Sequence, residues 1–362
     1  MKKTQLLILF LSVNIILSCT REQNHILSFD REFTIKGKEI LKEDVEILEL
    51  YIIDTLLLAK IINDNYYFSV YNPKTLQLID NIAKKGNGPN EFPAGLVYNH
   101  FEKENNQIKI WVKGTNTHKL SQINVSESID KNKTIVGKEF QLRAQSKYFK
   151  VFYIDSTKVV GRSANTTPHM NRLQIYNPML DSIIKTVPVF PKVENNNYDL
   201  SFLFYRYNSL YISTFRMKPD KTKFASAMVM FNRIDIFDSE GNLENSIIEG
   251  EDFPEKTLDE YLKAKQENID KINVKRYYQG SFVSDSYIYC LYYNQLQNEY
   301  SKNSIPVEVR IFNWSGEPLC KIKVPDYLQS FTIDEKNGLM YGIALFDEKI
   351  LIYDIKSILN EI

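Results

Sequence analysis

The chain has 362 residues, with 45 Lys+Arg against 45 Asp+Glu and a formal net charge of zero, a balance that excludes a nucleic-acid binder held by a global basic field. Apolar residues make up 43%, as in ordinary globular domains, which excludes general disorder and several membrane spans. Three Cys exclude a disulfide scaffold and four His leave little room for a His-rich metal centre, while 23 Tyr and 21 Phe lean towards β structure.

At the N-terminus, Lys2 and Lys3 precede an apolar run from Leu6 to Leu17, broken by Ser12 and Asn14. The run is too short for a membrane-spanning helix, which needs about 20 apolar residues. It suits the h-region of a secretory signal. It ends in Ile16-Leu17-Ser18-Cys19, which resembles the bacterial lipobox, whose Cys is acylated and becomes the mature N-terminus. The expectation is a signal peptide over residues 1–18, a lipidated Cys19, a short tether to residue 25 and one domain over residues 26–362. Ordinary secretion with a buried Cys19 is the competing reading, weakened by the lack of an A-x-A-type cleavage site. A lipid anchor makes the membrane a partner and places the protein in a bacterial cell envelope. Thr20, where enteric lipoproteins kept at the inner membrane carry Asp, points to the outer membrane.

Further along, one landmark recurs six times: an alternating apolar strand that closes on Asn or Asp. The instances are Phe68 to Asn72, Leu120 to Asn124, Leu173 to Asn177, Ile234 to Asp238, Val309 to Asn313 and Ile350 to Asp354. Period-2 alternation marks strands with a buried face, and Asn or Asp supports the following turn. A second landmark, a turn followed by a strand, precedes each one: Asp54-Thr55, Asn106-Gln107, Asp155-Ser156, Asn208-Ser209, Asp285-Ser286 and Asn337-Gly338. The unit recurs at intervals of about 40 to 75 residues, near or above the length of a propeller blade. Residues 256–273 read as one inserted helix, with Leu258, Tyr261, Leu262 and Ile269 on an apolar stripe. The fold expected is therefore an all-β, six-bladed β-propeller with one inserted helix. A seventh blade stays open in the long interval between Phe237 and Phe312. The last unit lacks a fourth strand, and the segment from Ile26 to Thr34 is the expected donor.

The segment Lys85-Gly86-Asn87-Gly88-Pro89-Asn90-Glu91-Phe92 resembles the G-x-G-P-x-E-F loop of six-bladed propeller lipoproteins of Bacteroides-type bacteria, the TolB-like propeller family. NHL-repeat propellers carry a similar loop. The resemblance implies a fold and a compartment and adds little chemistry. Within the loop, Glu91 is either an acid facing a ligand near the central channel or a structural clasp that accepts backbone N–H bonds.

No nucleophile elbow, zinc-protease helix, phosphate loop or C-x-x-C occurs in the sequence, and no cofactor or metal is expected. Cys290 and Cys320 either pair or pack as buried thiols. In a propeller, the loops between second and third strands share one face with the blade-to-blade connections. Three such loops read as long: Ser163 to Asn171, Met217 to Ser226 and Asn294 to Pro306. Arg162, Arg216, Lys275 and Arg276 are expected to form a cationic rim on that face, with Glu91 and His169 as further candidate ligand-binding residues. The expected function is an anchored, non-catalytic binding or scaffold domain contacting a protein or glycan through the long-loop face. The alternative is a hydrolase or lyase acting on a carbohydrate or lactone. Oligomeric state is not legible.

Overall fold

The computed structural model describes residues 27–41, 46–93, 95–142, 148–163, 171–188, 210–250, 274–296, 299, 306–344 and 349–362. The signal segment with Cys19, the tether, the 256–273 segment and His169 lie outside the described residues. Two short strands come first, β1 (Glu32–Thr34) and β2 (Lys38–Leu41). Blade one is β3 (Glu46–Ile53), β4 (Leu56–Ile62), β5 (Tyr66–Tyr71) and β6 (Leu78–Lys84). Blade two is β7 (Leu96–Glu104), β8 (Gln107–Gly114), β9 (Lys119–Asn124) and β10 (Val136–Gln141). Blade three is β11 (Tyr148–Asp155), β12 (Lys158–Ser163), β13 (Asn171–Asn177) and β14 (Ser182–Pro188). Blade four is β15 (Ser213–Met217), β16 (Lys223–Met228), β17 (Arg233–Asp238) and β18 (Leu243–Ile248). Blade five is β19 (Lys275–Val283), β20 (Tyr287–Leu296), β21 (Val307–Asn313) and β22 (Pro318–Val324). Blade six has β23 (Leu328–Asp334), β24 (Leu339–Ala344) and β25 (Ile350–Asp354). Each run forms one antiparallel sheet, giving a six-bladed all-β propeller, and the interval from Phe237 to Phe312 adds no seventh sheet among the described residues.

Ring closure differs from the sequence reading by one strand. The fourth strand of blade six is β2, antiparallel to β25 with Lys38 opposite Ile352. The Glu32–Thr34 end of the expected donor instead lies parallel on β22 as a fifth strand of blade five. The reason is electrostatic. Lys321 and Lys323 stand on the free edge of β22, and Glu32 pairs with Lys321 at 2.7 Å and with Lys323 at 2.5 Å. Those two lysines hold the Glu32 carboxyl at about 2. Between the two strands the chain crosses Tyr353 so closely that a Cβ on Gly37 would meet its ring at 2.7 Å, so only glycine passes there.

The core is one apolar layer in each gap between blades. Phe68, Val70 and Ile110 fill the first gap; Trp111, Tyr153 and Tyr176 the second; Phe152, Phe215 and Phe224 the third. Ile236, Tyr278 and Ile288 fill the fourth, Tyr289, Phe331 and Met340 the fifth, and Tyr341, Ile52 and Leu57 the sixth. The middle strands are therefore covered on both sides, and each such side chain adds about 1.5–3 kcal/mol by burial.

Two turn readings change. Asn124 does not close a tight turn; its side chain accepts the Glu127 N–H at 3.1 Å and caps a short helix, α1 (Val125–Lys131). In blade four, the Asn208-Ser209 turn does not join the first two strands. The hairpin between β15 and β16 at Lys218–Thr222 does so, with Asp220 accepting the Thr222 N–H at 2.9 Å. Met217 to Ser226 is thus a tight hairpin and not a long-face loop. The chain ends in α2 (Lys356–Glu361), which sets Ile358 into the fifth gap.

Candidate functional site

The first strand of each blade lines the axis, since β23 touches β3, β7 touches β11 and β19 touches both β15 and β23. Five of these inner strands carry a break in register: between Ile47 and Glu49, Tyr98 and His100, Tyr148 and Lys150, Tyr278 and Gly280, and Leu328 and Ser330. A bulge bends a strand and re-aims the side chain after it. Repeated around the ring, it brings unlike polar groups to one level of the channel.

Glu49 and Lys150 are the charged members of that level. Lys60 Nζ donates to Glu49 Oε1 at 3.0 Å, and the Tyr51 hydroxyl donates to Oε2. Burial works against the Glu49 carboxylate, but the Lys150 and Lys60 charges outweigh it and hold its carboxyl at about 2. Lys150 comes from blade three, yet it senses Glu49 and Lys60 of blade one and Arg216 of blade four, so its amine lies near the axis. Its Nζ is sealed from solvent and has no hydrogen-bond partner. Burial lowers its pKa well below the usual lysine range, and the Arg216 charge adds to this. Arg216 spans the gap to blade five, donating from Nε to the Ser281 carbonyl at 2.8 Å. Neither of its terminal nitrogens hydrogen-bonds a described residue. Beside it lies a cavity of ≈ 60 Å³, walled by Tyr51, Tyr98, Asn99, His100 and Thr332 among others. That space admits a few waters or one small polar group.

The expected rim is therefore split. Arg216 sits in the channel, towards the end opposite the long-loop face, because β15 begins later than the repeat suggested. Arg162, opposite Lys150 in the sheet, ends β12 on the long-loop side. It donates to the Tyr211 carbonyl at 3.5 Å and stacks 4.6 Å from the Phe149 ring; burial lowers its guanidinium to about 10. Lys275 is exposed at the start of β19 and Arg276 is half-buried beside it. The structure brings Arg162 and Arg216 together only through Lys150, which feels both charges. On the long-loop face, a cleft of ≈ 540 Å³ opens between blades two and three, lined by Lys113, Thr115, Asn116, His118, Tyr148 and Phe149, with Val97. Phe149 is 44% exposed.

Glu91 is engaged within its own loop. Lys84 Nζ donates to Oε1 at 2.8 Å and the Gly88 N–H to Oε2 at 2.9 Å. These two bonds hold its carboxyl below the usual carboxylate range. Gly86 has φ 151°, and a Cβ there would lie 2.0 Å from Glu91 Oε2. We predict that Gly86→Ala opens this clasp and lowers stability by about 1–3 kcal/mol through backbone strain. Urea unfolding checks it, and an unchanged midpoint would remove the clasp from the account.

Cys290 and Cys320 are free and buried. Burial raises the Cys290 thiol well out of range and pushes the Cys320 thiol up to about 12. A thiol that stays protonated is not a nucleophile. Both are expected to stay silent to Ellman's reagent in the folded protein and to react in concentrated urea. Reaction at the folded-state rate of an exposed thiol would contradict this burial. Among the described residues no group of three or more His, Cys, Asp or Glu is arranged to hold a metal.

Comparisons with known proteins agree with this architecture. A family model described as TolB-like 6-blade propeller-like matches residues 49–336. The chain is similar to the crystal structure of a member of the DUF4221 family from Bacteroides vulgatus. The TM-score is 0.58 and the identity 13%, over 92% of this chain and 98% of that one. The β-propeller domain of Cps50 (Swd1) from Myceliophteria thermophila matches with a TM-score of 0.48 and 9% identity, over 88% of this chain and 98% of that one. No curated protein matches the sequence.

Proposed function

The chain belongs to the TolB-like six-bladed propeller family, and from that premise we propose that it is an envelope-anchored binding propeller. Cys19 carries the lipid, and the long-loop face meets a protein or glycan that bears acidic groups. The observation that carries the reading is the ≈ 540 Å³ cleft on that face, where Lys113 and His118 stand beside the exposed Phe149 ring. Its lining holds no carboxylate among the described residues. An aromatic ring with a few placed polar groups is the usual make-up of a recognition site. The hydrolase or lyase reading needs convergent acids in one pocket. Glu49, the carboxylate of the channel cluster, is already paired with Lys60 and Tyr51.

A soluble form beginning at Thr20 tests the binding half on columns of an acidic and a neutral polysaccharide of equal length. Selective retention on the acidic column, reduced by Phe149→Ala, is the expected result. Release of shortened polysaccharide would favour the enzyme reading. The anchoring half is read by incorporation of an alkyne-labelled fatty acid, which Cys19→Ala should abolish.

A further inference from the structure

We propose that the central channel holds a small oxyanion, a carboxylate or phosphate group, seated on the Arg216 guanidinium in the cavity it shares with Asn99 and Ser281. This site is separate from the cleft between blades two and three and involves none of its residues.

The charge balance of the channel carries the argument. Lys60 and Lys150 act on one carboxylate, Glu49, and the Arg216 charge acts on Lys150. Both oxygens of that carboxylate are already taken, one by Lys60 at 3.0 Å and the other by Tyr51. A buried ammonium without a partner is among the costliest groups in a protein interior. Lys150 meets that cost whenever it carries its proton: its Nζ is sealed and makes no hydrogen bond. Among the described residues, Arg216 on β15, Lys60 on β4 and Arg162 on β12 oppose its charge, and Glu49 on β3 favours it. One anion resolves this conflict.

The receiving geometry is also present. Arg216 is fixed by its Nε bond to the Ser281 carbonyl, which leaves the two terminal nitrogens as a planar fork of the kind that matches an oxyanion. The fork borders a cavity of ≈ 60 Å³, the size of one such group with its water. Asn99 Nδ2 and Ser281 Oγ, in two other walls of the cavity, are buried and have no partner. Polar groups from four blades thus wall the site, Tyr51 from one, Asn99 from two, Arg216 from four and Ser281 from five, while Lys150 of blade three lies outside this lining and acts through its charge. An anion seated there cancels the repulsion between Arg216 and Lys150 and lets the amine take up a proton.

The test uses inorganic phosphate and acetate as probes, with chloride at matched ionic strength as the reference. Thermal unfolding should show a saturable rise in midpoint with phosphate or acetate. Calorimetry at pH 8 in two buffers of different ionisation enthalpy should show proton uptake with binding. Lys150→Met and Arg216→Gln should each weaken binding by on the order of 30-fold or more. Lys150→Met should also abolish the proton uptake. If Arg216→Gln does not fold, Lys150→Met alone decides. Equal stabilisation of the wild type and Lys150→Met would overturn the proposal, as would stabilisation by neither probe.

Discussion

Replacing Asp235 by alanine is expected to lower the free energy of unfolding by about 3–5 kcal/mol, the cost of breaking a buried ion pair from one side. Asp235 is fully buried in β17 of blade four. Arg172 of blade three pairs with one oxygen, and Arg233 Nε donates to the other at 2.7 Å. Ser246 Oγ adds a bond of 2.6 Å. Alanine strips two buried guanidiniums of their carboxylate at once and leaves a hole between blades. Asn keeps the shape but not the charge, so Asp235→Asn should fall between alanine and the wild type. The measurement is urea unfolding followed by circular dichroism. A loss below about 1 kcal/mol, the level of an exposed pair, would mean that other groups neutralise the arginines.

The same placement recurs around the ring. Asn99 accepts the Val151 N–H at 3.1 Å across the second gap, and Thr332 accepts the Ile52 N–H at 2.9 Å across the sixth. In the fifth, the Tyr289 hydroxyl donates to Glu335 at 2.6 Å. Each gap is mostly apolar, and apolar packing is non-directional. Single polar contacts with fixed geometry are what set the register of one blade on the next.

Asp235 also shows where the sequence misleads. In Ile234-Asp235-Ile236 the alternation reads as one buried face and one wet face. That inference holds for a sheet with solvent on one side. A middle strand of a propeller has a blade on each side, so the polar member of the alternation is buried and must pair. Arg310, in Val309-Arg310-Ile311, follows the same rule and reaches Glu249 and Glu308. The strands and most of the turns were legible because alternation and Asn/Asp placement are local properties. Blade four was framed wrongly because Asn208-Ser209 and Asp220-Lys221 are equally good turns, and the five-residue β15 gives too little alternation to choose. Ring closure was misplaced because the pairing of β1 depends on two lysines almost 300 residues away. The channel residues carried a signal: Glu49 and Lys150 are lone charges inside apolar runs, Ile47 to Ile53 and Tyr148 to Ile154. That signal acquires meaning only when those runs are known to be innermost strands.

Lys150→Met should raise stability rather than lower it, by about 1–3 kcal/mol near pH 7 in the absence of an oxyanion. Met fills a similar volume without a charge to desolvate. The sign with pH follows from linkage. In the unfolded chain the amine keeps its proton up to about 10.5, while burial and the Arg216 charge make the folded protein release it earlier. Below the folded pKa both states are charged, and the full cost is borne by the fold. Between the two pKa values the unfolded state binds more protons, so wild-type stability rises with pH, by up to about 1.4 kcal/mol per pH unit. Above about 10.5 both states are neutral and the cost is gone. The advantage of Lys150→Met should therefore be largest at neutral pH and vanish as pH approaches 10.5. Buried Tyr51 and Tyr98, whose pKa values are raised by burial, oppose this at the alkaline end because the unfolded phenols ionise first. They are common to both proteins and cancel in the difference. Urea midpoints of the two proteins from pH 6 to 10.5, in phosphate-free buffer, give the comparison. Parallel curves would show that Lys150 titrates alike in both states and is not desolvated. If the curves instead converge at pH 7 on adding phosphate, the oxyanion has supplied the charge that Lys150 lacks.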